Sequence, residues 1–482
     1  MHRYSIGRTL AVAAILALYA FGAAAAPAKY VFLFIGDGMG SPQIAAAEAF
    51  LGDVDGGAVN LHKLNFTQFP MQALTTTHAA DRYITGSAAA ATAMACGYKT
   101  NIGVIAMNPG LTEDYKTIAE IADEASMKVG IVSSVNVDHA TPAAFYAHET
   151  SRNNYYEIGV DLADSAVDYC AGGMLRAAGG TSSAKGTGDQ HEILAAAGWT
   201  IAGTRAEFDA LAPCDSQVYA YTTGFAGNAL DYANDQEPGY ITLAEFTAKG
   251  VELLNNPNGF FMMVEGGKID WACHANDAGS AIANTEAFED AVQVAIDFYN
   301  AHPHETLILV TGDHECGGLT LGFAGTGYGT AFDVMNSQNA SYEYFDAFVL
   351  DAYKAATAVE DAKLADLEDD IAEYFGLIDW SEYERAQLEA AFVQSLAGNV
   401  EGVSDAESYL LYGGYEPLTV TITHLVNQRA GLAWTSYSHT GVPVPTFAMG
   451  VGQELFGGYI DNTDIFWNMV EAMGLSERVA SN

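Results

Sequence analysis

The stretch Tyr30–Gly40, YVFLFIGDGMG, decides the fold. Tyr30 to Ile35 is an unbroken apolar run, and glycines then surround a single acid, Asp37. Short runs of this kind, closed by turn residues, read as buried strands. Similar runs recur at Val129–Val135, Phe260–Val264, Leu307–Thr311 and Pro445–Met449. Between them lie stretches of helical character such as Thr117–Ala125 and Ala278–Ala301. The alternation predicts an α/β fold with a mainly parallel central sheet flanked by helices. No internal repeat is evident, and Gly179–Gly188 reads as a surface loop. Residues 323–435 break the alternation. Within them Asp351–Tyr374 reads as helical and acidic, without the ligand spacing of a calcium loop. This stretch is expected to be an insertion at the sheet's rim with a solvated face.

The strands carry their acids at one end. FFMMVEGGKIDWACHAND leads to Glu265, Asp270 and His274, and TLILVTGDHECGG leads to Asp313 and His314. Parallel strands present all their C-termini at one edge, where ligands bind in open α/β sheets. Asp270 and His274, four residues apart, can face one point from a single helical turn. Carboxylate with imidazole suits Zn²⁺, whereas an oxygen-only set suits Mg²⁺. SHTGVPVPTFAMG adds His439 just before another apolar strand. In RYITGSAAAATAMACGYKTN, Ser87 heads a helix of small residues. Taken alone it is either a helix cap or a nucleophile at a positive helix end. G-x-S-x-G is absent, which excludes the nucleophile elbow of the α/β-hydrolases.

Composition bounds the setting. Arg3 and Arg8, the apolar run Thr9–Phe21 and the small residues 22–26 predict an export signal over residues 1–26, with an approximate cleavage point. No later segment reads as a membrane span, so the mature chain is expected to be periplasmic or secreted. The 60 acidic and 19 basic residues give a formal net charge of −41. That balance argues against nucleic acid or an anionic membrane as partner. An anionic substrate would then find its positive charge on bound metal ions. Five cysteines fit no C-x-x-C pattern, and Cys170 with Cys214 is the expected pair.

Six ordered motifs, GDGMG, TGSAAAATA, HATPAAFYAHETSR, VEGGKIDWACHAND, TGDHE and SHTG, resemble those of the alkaline phosphatase family. The resemblance covers nearly the whole mature chain as one catalytic domain, 27–482. It implies phosphate monoester hydrolysis on two Zn²⁺ and one Mg²⁺, commonly by a homodimer. Ser87 then resembles the nucleophile that becomes phosphoserine. Asp270, His274 and His439 look like the ligands of the first zinc; Asp37, Asp313, His314 and Ser87 look like those of the second. Asp37, Thr141 and Glu265 resemble the magnesium site. Arg152 looks like the phosphate-gripping guanidinium, with His139 and Trp271 as neighbours that contact substrate. Many relatives carry Asp directly before the nucleophile; here Gly86 stands there, so Arg152 is expected to lack that brace. Cys273 and Cys316 are read as filler beside the ligands.

Rival readings are a phosphodiesterase on the same metal scaffold, and a metal- or phosphate-binding protein without turnover. Arg152 favours the monoesterase, since a diester offers one fewer anionic oxygen to grip. A sulfatase is disfavoured by the absence of C-x-P-x-R.

Overall fold

The computed structural model describes residues 26–54, 59–179, 185, 187–213, 217–397 and 405–480. All but Ala26 of the expected export signal, much of the Gly179–Gly188 loop, and Cys214 lie outside the described residues.

Ten strands form the main sheet. In chain order the first eight are β1 (Tyr30–Gly36), β2 (Met71–Thr76), β3 (Lys128–Asn136), β4 (Tyr169–Gly173), β5 (Thr200–Ala202), β6 (Val218–Thr222), β7 (Phe260–Glu265) and β8 (Thr306–Gly312). Four short strands follow: β9 (Glu315–Cys316), β10 (Thr320–Leu321), β11 (Leu432–Ala433) and β12 (His439–Thr440). β13 (Val444–Gly450) and β14 (Gly458–Asp461) complete the main sheet, whose order is β14-β2-β13-β8-β1-β7-β3-β4-β6-β5. All its pairings are parallel except those of β13, which runs antiparallel to both β2 and β8.

The sequence of β1 explains its central place. Tyr30, Phe32 and Phe34 enter the core on one face, while Val31, Leu33 and Ile35 enter the core on the other. β7 and β8 divide their side chains in the same way. Each large apolar side chain so buried contributes about 1.5–3 kcal/mol, which an exposed edge position would forfeit. The Ala278–Ala301 helix covers the first face through Ile282, Phe288, Val292 and Phe298. The Ser87–Cys96, Ile118–Glu124 and Asn462–Ala472 helices cover the second. Every residue of Ser87–Cys96 is buried, which its run of alanines permits by letting the backbone approach closely.

Residues 323–435 contribute no described strand to the main sheet. The acidic stretch forms two α-helices, Asp351–Ala356 and Glu368–Phe375, with a 3-10 turn, Leu364–Leu367, leading into the second. Leu364, Leu367, Ile371 and Phe375 point inward at helical spacing, and Glu368, Asp369 and Asp370 occupy the second helix's positive end. Cys170 is fully buried within β4 among apolar neighbours, and Cys214, its expected partner, lies outside the described residues.

Candidate active site

The acidic strand ends meet at one edge. Asp37 follows β1, Glu265 ends β7, and Asp313 with His314 follows β8. The Lys268–His274 helix, entered two residues after β7, carries Asp270 and His274. His439 reaches the same edge because β13 is antiparallel: the segment before it arrives where its parallel neighbours end. Gly38 lets these strand ends close up. Its φ is +72°, and a Cβ there would lie 2.8 Å from the Asp270 Cα. Its N–H donates to Asp313 Oδ1 at 3.1 Å.

One group contains Asp270, His274 and His439. Asp270 Oδ2 lies 3.2 Å from His274 Nε2, and Asp270 Oδ1 lies 3.6 Å from His439 Nε2. The two Nε2 atoms are 3.1 Å apart. Their Nδ1 atoms face the carbonyls of Tyr437 at 2.6 Å and Thr85 at 2.9 Å. Those carbonyls hold each Nδ1 as the donor and turn the Nε2 lone pairs inward. The two converging Nε2 atoms and the carboxylate form a donor set that fits a cation. Cys316 Sγ lies within 4.8 Å of the donor atoms of this group and donates to the Asp270 carbonyl at 3.7 Å.

A second group comprises Asp37, Asp313 and His314, all fully buried. His314 Nε2 lies 3.1 Å from Asp313 Oδ2, 3.4 Å from Asp37 Oδ1 and 3.4 Å from Ser87 Oγ. The His314 and His439 rings stack at 3.5 Å, joining the two groups. A third group contains Asp37, Glu265 and His139. Thr141 Oγ1 donates to Asp37 Oδ2 at 3.4 Å, and the Ser133 hydroxyl donates to Glu265.

The donor set fits metal ions. Asp37 Oδ1, Glu265 Oε1, Asp270 Oδ1 and Asp313 Oδ2 are buried without hydrogen-bond partners. Burial, with repulsion from Asp313 and Asp270, holds Asp37 well above the usual carboxylate range. Burial and the Asp270 charge push Asp313 to about 8, and burial lifts Glu265 to about 7 despite its bond from Ser133. Burial also drives His314 down, so its ring is neutral and its contact with Asp313 is not an ion pair. Asp270 is the exception: burial raises it, but the His274 and His439 imidazoles outweigh burial and hold it well below its ordinary value. Such a cluster of desolvated carboxylates keeps its charge only beside cations.

Ser87 is the first residue of its helix. Gly86 is the N-cap, with φ −126° and ψ 162°, an extended conformation open to any residue. Ser87 is thus not the cap, and its Oγ lies 3.5 Å from Arg152 Nη1. Arg152 Nη2 donates to His139 Nε2 at 2.9 Å. Burial and the Arg152 charge hold His139 well below its ordinary value, so the neutral ring can accept that bond. The brace expected to be missing beside Gly86 is therefore supplied by His139. Trp271 packs edge-on against His139, with ring centroids 5.7 Å apart.

Three supporting side chains escaped the sequence reading. Ser133 lies mid-strand in β3, where alternation marks it only as buried. Glu315 accepts from Gln43 Nε2 at 2.8 Å and from the Thr440 hydroxyl, clasping β9 to β12 beside His439. Lys268 is fully buried one turn before Trp271. Glu315 and Lys268 stand inside the quoted motifs, so an acid and a cation embedded in apolar surroundings were the available signals.

The alkaline phosphatase family model matches residues 28–175 and 188–475, and the chain belongs to that family. It is a phosphoric monoester hydrolase. Among its relatives, alkaline phosphatase 3 of Bacillus subtilis (strain 168) is 32% identical over 449 residues, covering 92% of this chain and 89% of the relative. The cold-active alkaline phosphatase of Shewanella sp. superposes with a TM-score of 0.75 at 30% identity, covering 92% of this chain and 99% of that one. A variant of the TAB5 alkaline phosphatase, described with Mg bound in the M3 site, gives a TM-score of 0.63 at 25% identity, covering 93% and 99%.

Proposed function

We propose that this chain is an exported alkaline phosphatase that cleaves phosphate monoesters through a phosphoserine at Ser87. The supporting observation is the buried Ser87 hydroxyl, 3.4 Å from His314 in a group of metal-type donors and 3.5 Å from Arg152. Asp270, His274 and His439 would hold one Zn²⁺, and Asp37, Asp313 and His314 with Ser87 the other. Asp37, Glu265 and Thr141 would hold Mg²⁺, a reading supported by the Mg recorded in the TAB5 variant. Bound cations supply the charge that acidifies the serine hydroxyl, steadies the departing alkoxide and activates water.

The chain's own residues then act in sequence. Arg152 grips the non-bridging phosphate oxygens with its planar fork, and His139 keeps that fork aimed at Ser87. Ser87 Oγ attacks phosphorus in line, forming the Ser–O–P bond as the bond to the alcohol oxygen breaks. Water then displaces Ser87, releasing inorganic phosphate and restoring the hydroxyl. Trp271 walls the site beside His139.

Initial rates on p-nitrophenyl phosphate and bis(p-nitrophenyl) phosphate, with elemental analysis of the same preparation, test this reading. The monoester is expected to react far faster, and chelation to abolish the reaction until Zn²⁺ and Mg²⁺ are returned. A faster diester reaction, or full activity in demonstrably metal-free protein, would overturn it.

A further inference from the structure

Lys268 is the only lysine or arginine among the described residues that is buried. Its Nζ sits 3.7 Å from the Tyr232 ring centroid and 4.7 Å from that of Trp271. It pairs with Glu343 Oε2 at 3.2 Å, and Glu343 belongs to the 323–435 region rather than to the sheet or its flanking helices. A lone buried ammonium is costly, so this one is held by one carboxylate and two aromatic faces. The contacts continue from it: Trp271 against His139, His139 to Arg152 at 2.9 Å, and Arg152 to Ser87 at 3.5 Å.

We infer that Lys268 is a positioning residue for phosphate binding, and that Glu343 anchors it. The ammonium helps to fix the plane of Trp271, which is only partly buried and packs between the core and His139. The fixed ring confines His139, and His139 holds Arg152. Residues 323–435 thereby influence phosphate grip through one ion pair, without touching phosphate. The inference rests on the reading of Arg152 as the phosphate-gripping residue.

Competitive inhibition by inorganic phosphate, measured on the full metal-loaded chain, tests it. Lys268→Met should raise the phosphate inhibition constant about three- to tenfold, the range of one desolvated cation–π contact. Lys268→Arg should restore it, and Glu343→Gln should move it the same way by less. In a Trp271→Ala background, Lys268→Met should add no further change, because both act through one path. A merely structural lysine would lower the melting temperature and the active fraction, neither of which alters an inhibition constant. Glu343, being partly exposed, supplies a variant that folds even where Lys268→Met does not. An unchanged inhibition constant in Glu343→Gln and in any folded Lys268→Met, or full additivity with Trp271→Ala, would overturn the inference. A parent protein that phosphate does not inhibit would instead overturn the Arg152 reading, and this inference with it.

Discussion

His139 accepts from Arg152 through Nε2, and burial keeps its ring neutral so that it can. Removing that acceptor frees the guanidinium without touching Ser87. His139→Ala should raise the phosphate inhibition constant about tenfold, the worth of one hydrogen bond to a charged group, with a smaller effect on kcat. Steady-state inhibition by phosphate checks this; an unchanged constant would show that Arg152 needs no brace. At this scale much was legible. Asp37, Glu265, Asp313 and His314 stand at or just beyond strand ends, and Asp270 and His274 on the helix that follows β7, where a parallel sheet gathers its chemistry. His139 as a brace was not legible, because its bond to Arg152 joins two loops whose approach no local pattern encodes.

Elements account for the remaining differences. The apolar run Pro445–Met449 marks β13 as a strand, but its period-two pattern carries no direction. Only the antiparallel pairing with β8 explains why His439 precedes its strand while Asp313 follows its own. The acidic stretch after residue 350 shows the converse: its charge pattern marks it as helical and solvated, and the inward Leu364, Leu367, Ile371 and Phe375 show which side packs. A pH-sensitive clasp ties the Ile118–Glu124 helix to the loop holding His148. The His148 Nδ1 faces the Ala106 carbonyl at 3.0 Å and its Nε2 faces Glu120 at 3.5 Å, so both ring nitrogens donate when protonated. Burial opposes the charged ring, but the bond to Glu120 outweighs burial and lifts His148 to about 9. The folded chain thus holds this proton more tightly than the unfolded chain does. Its stabilisation is complete below about pH 6.5 and fades as pH rises through about 9. His148→Gln should therefore cost about 1–2 kcal/mol near neutrality and almost nothing well above pH 9. Denaturant unfolding at the two pH values measures it, and a cost that persists at high pH would contradict the pairing.

Across the whole molecule, a formal charge of −41 makes the folded state repel itself. Screening relieves that repulsion, so the melting temperature should climb from low to moderate NaCl. A flat or falling trend would show that the acidic surface is already compensated. The same excess of acid isolates the site, where buried carboxylates keep their charge only beside cations. Composition announced this need for positive charge but could not say where it would sit. The ten-stranded order answers that, since β1, flanked by β7 and β8, gathers three acid-bearing ends. No described helix is long and apolar enough to cross a membrane.

The central claim is that phosphate passes through Ser87. Its most direct test is an acid quench of the metal-loaded chain turning over a phosphate monoester, followed by peptide mass spectrometry, beside the same assay on Ser87→Ala. Alanine suits the first turn of this helix, so the variant should fold and bind metal. Phosphate should appear on the peptide containing Ser87, and turnover in the variant should fall by several orders of magnitude. A variant that turns over at the parent's rate, with no phosphorylated Ser87 peptide trapped from the parent, would contradict the account.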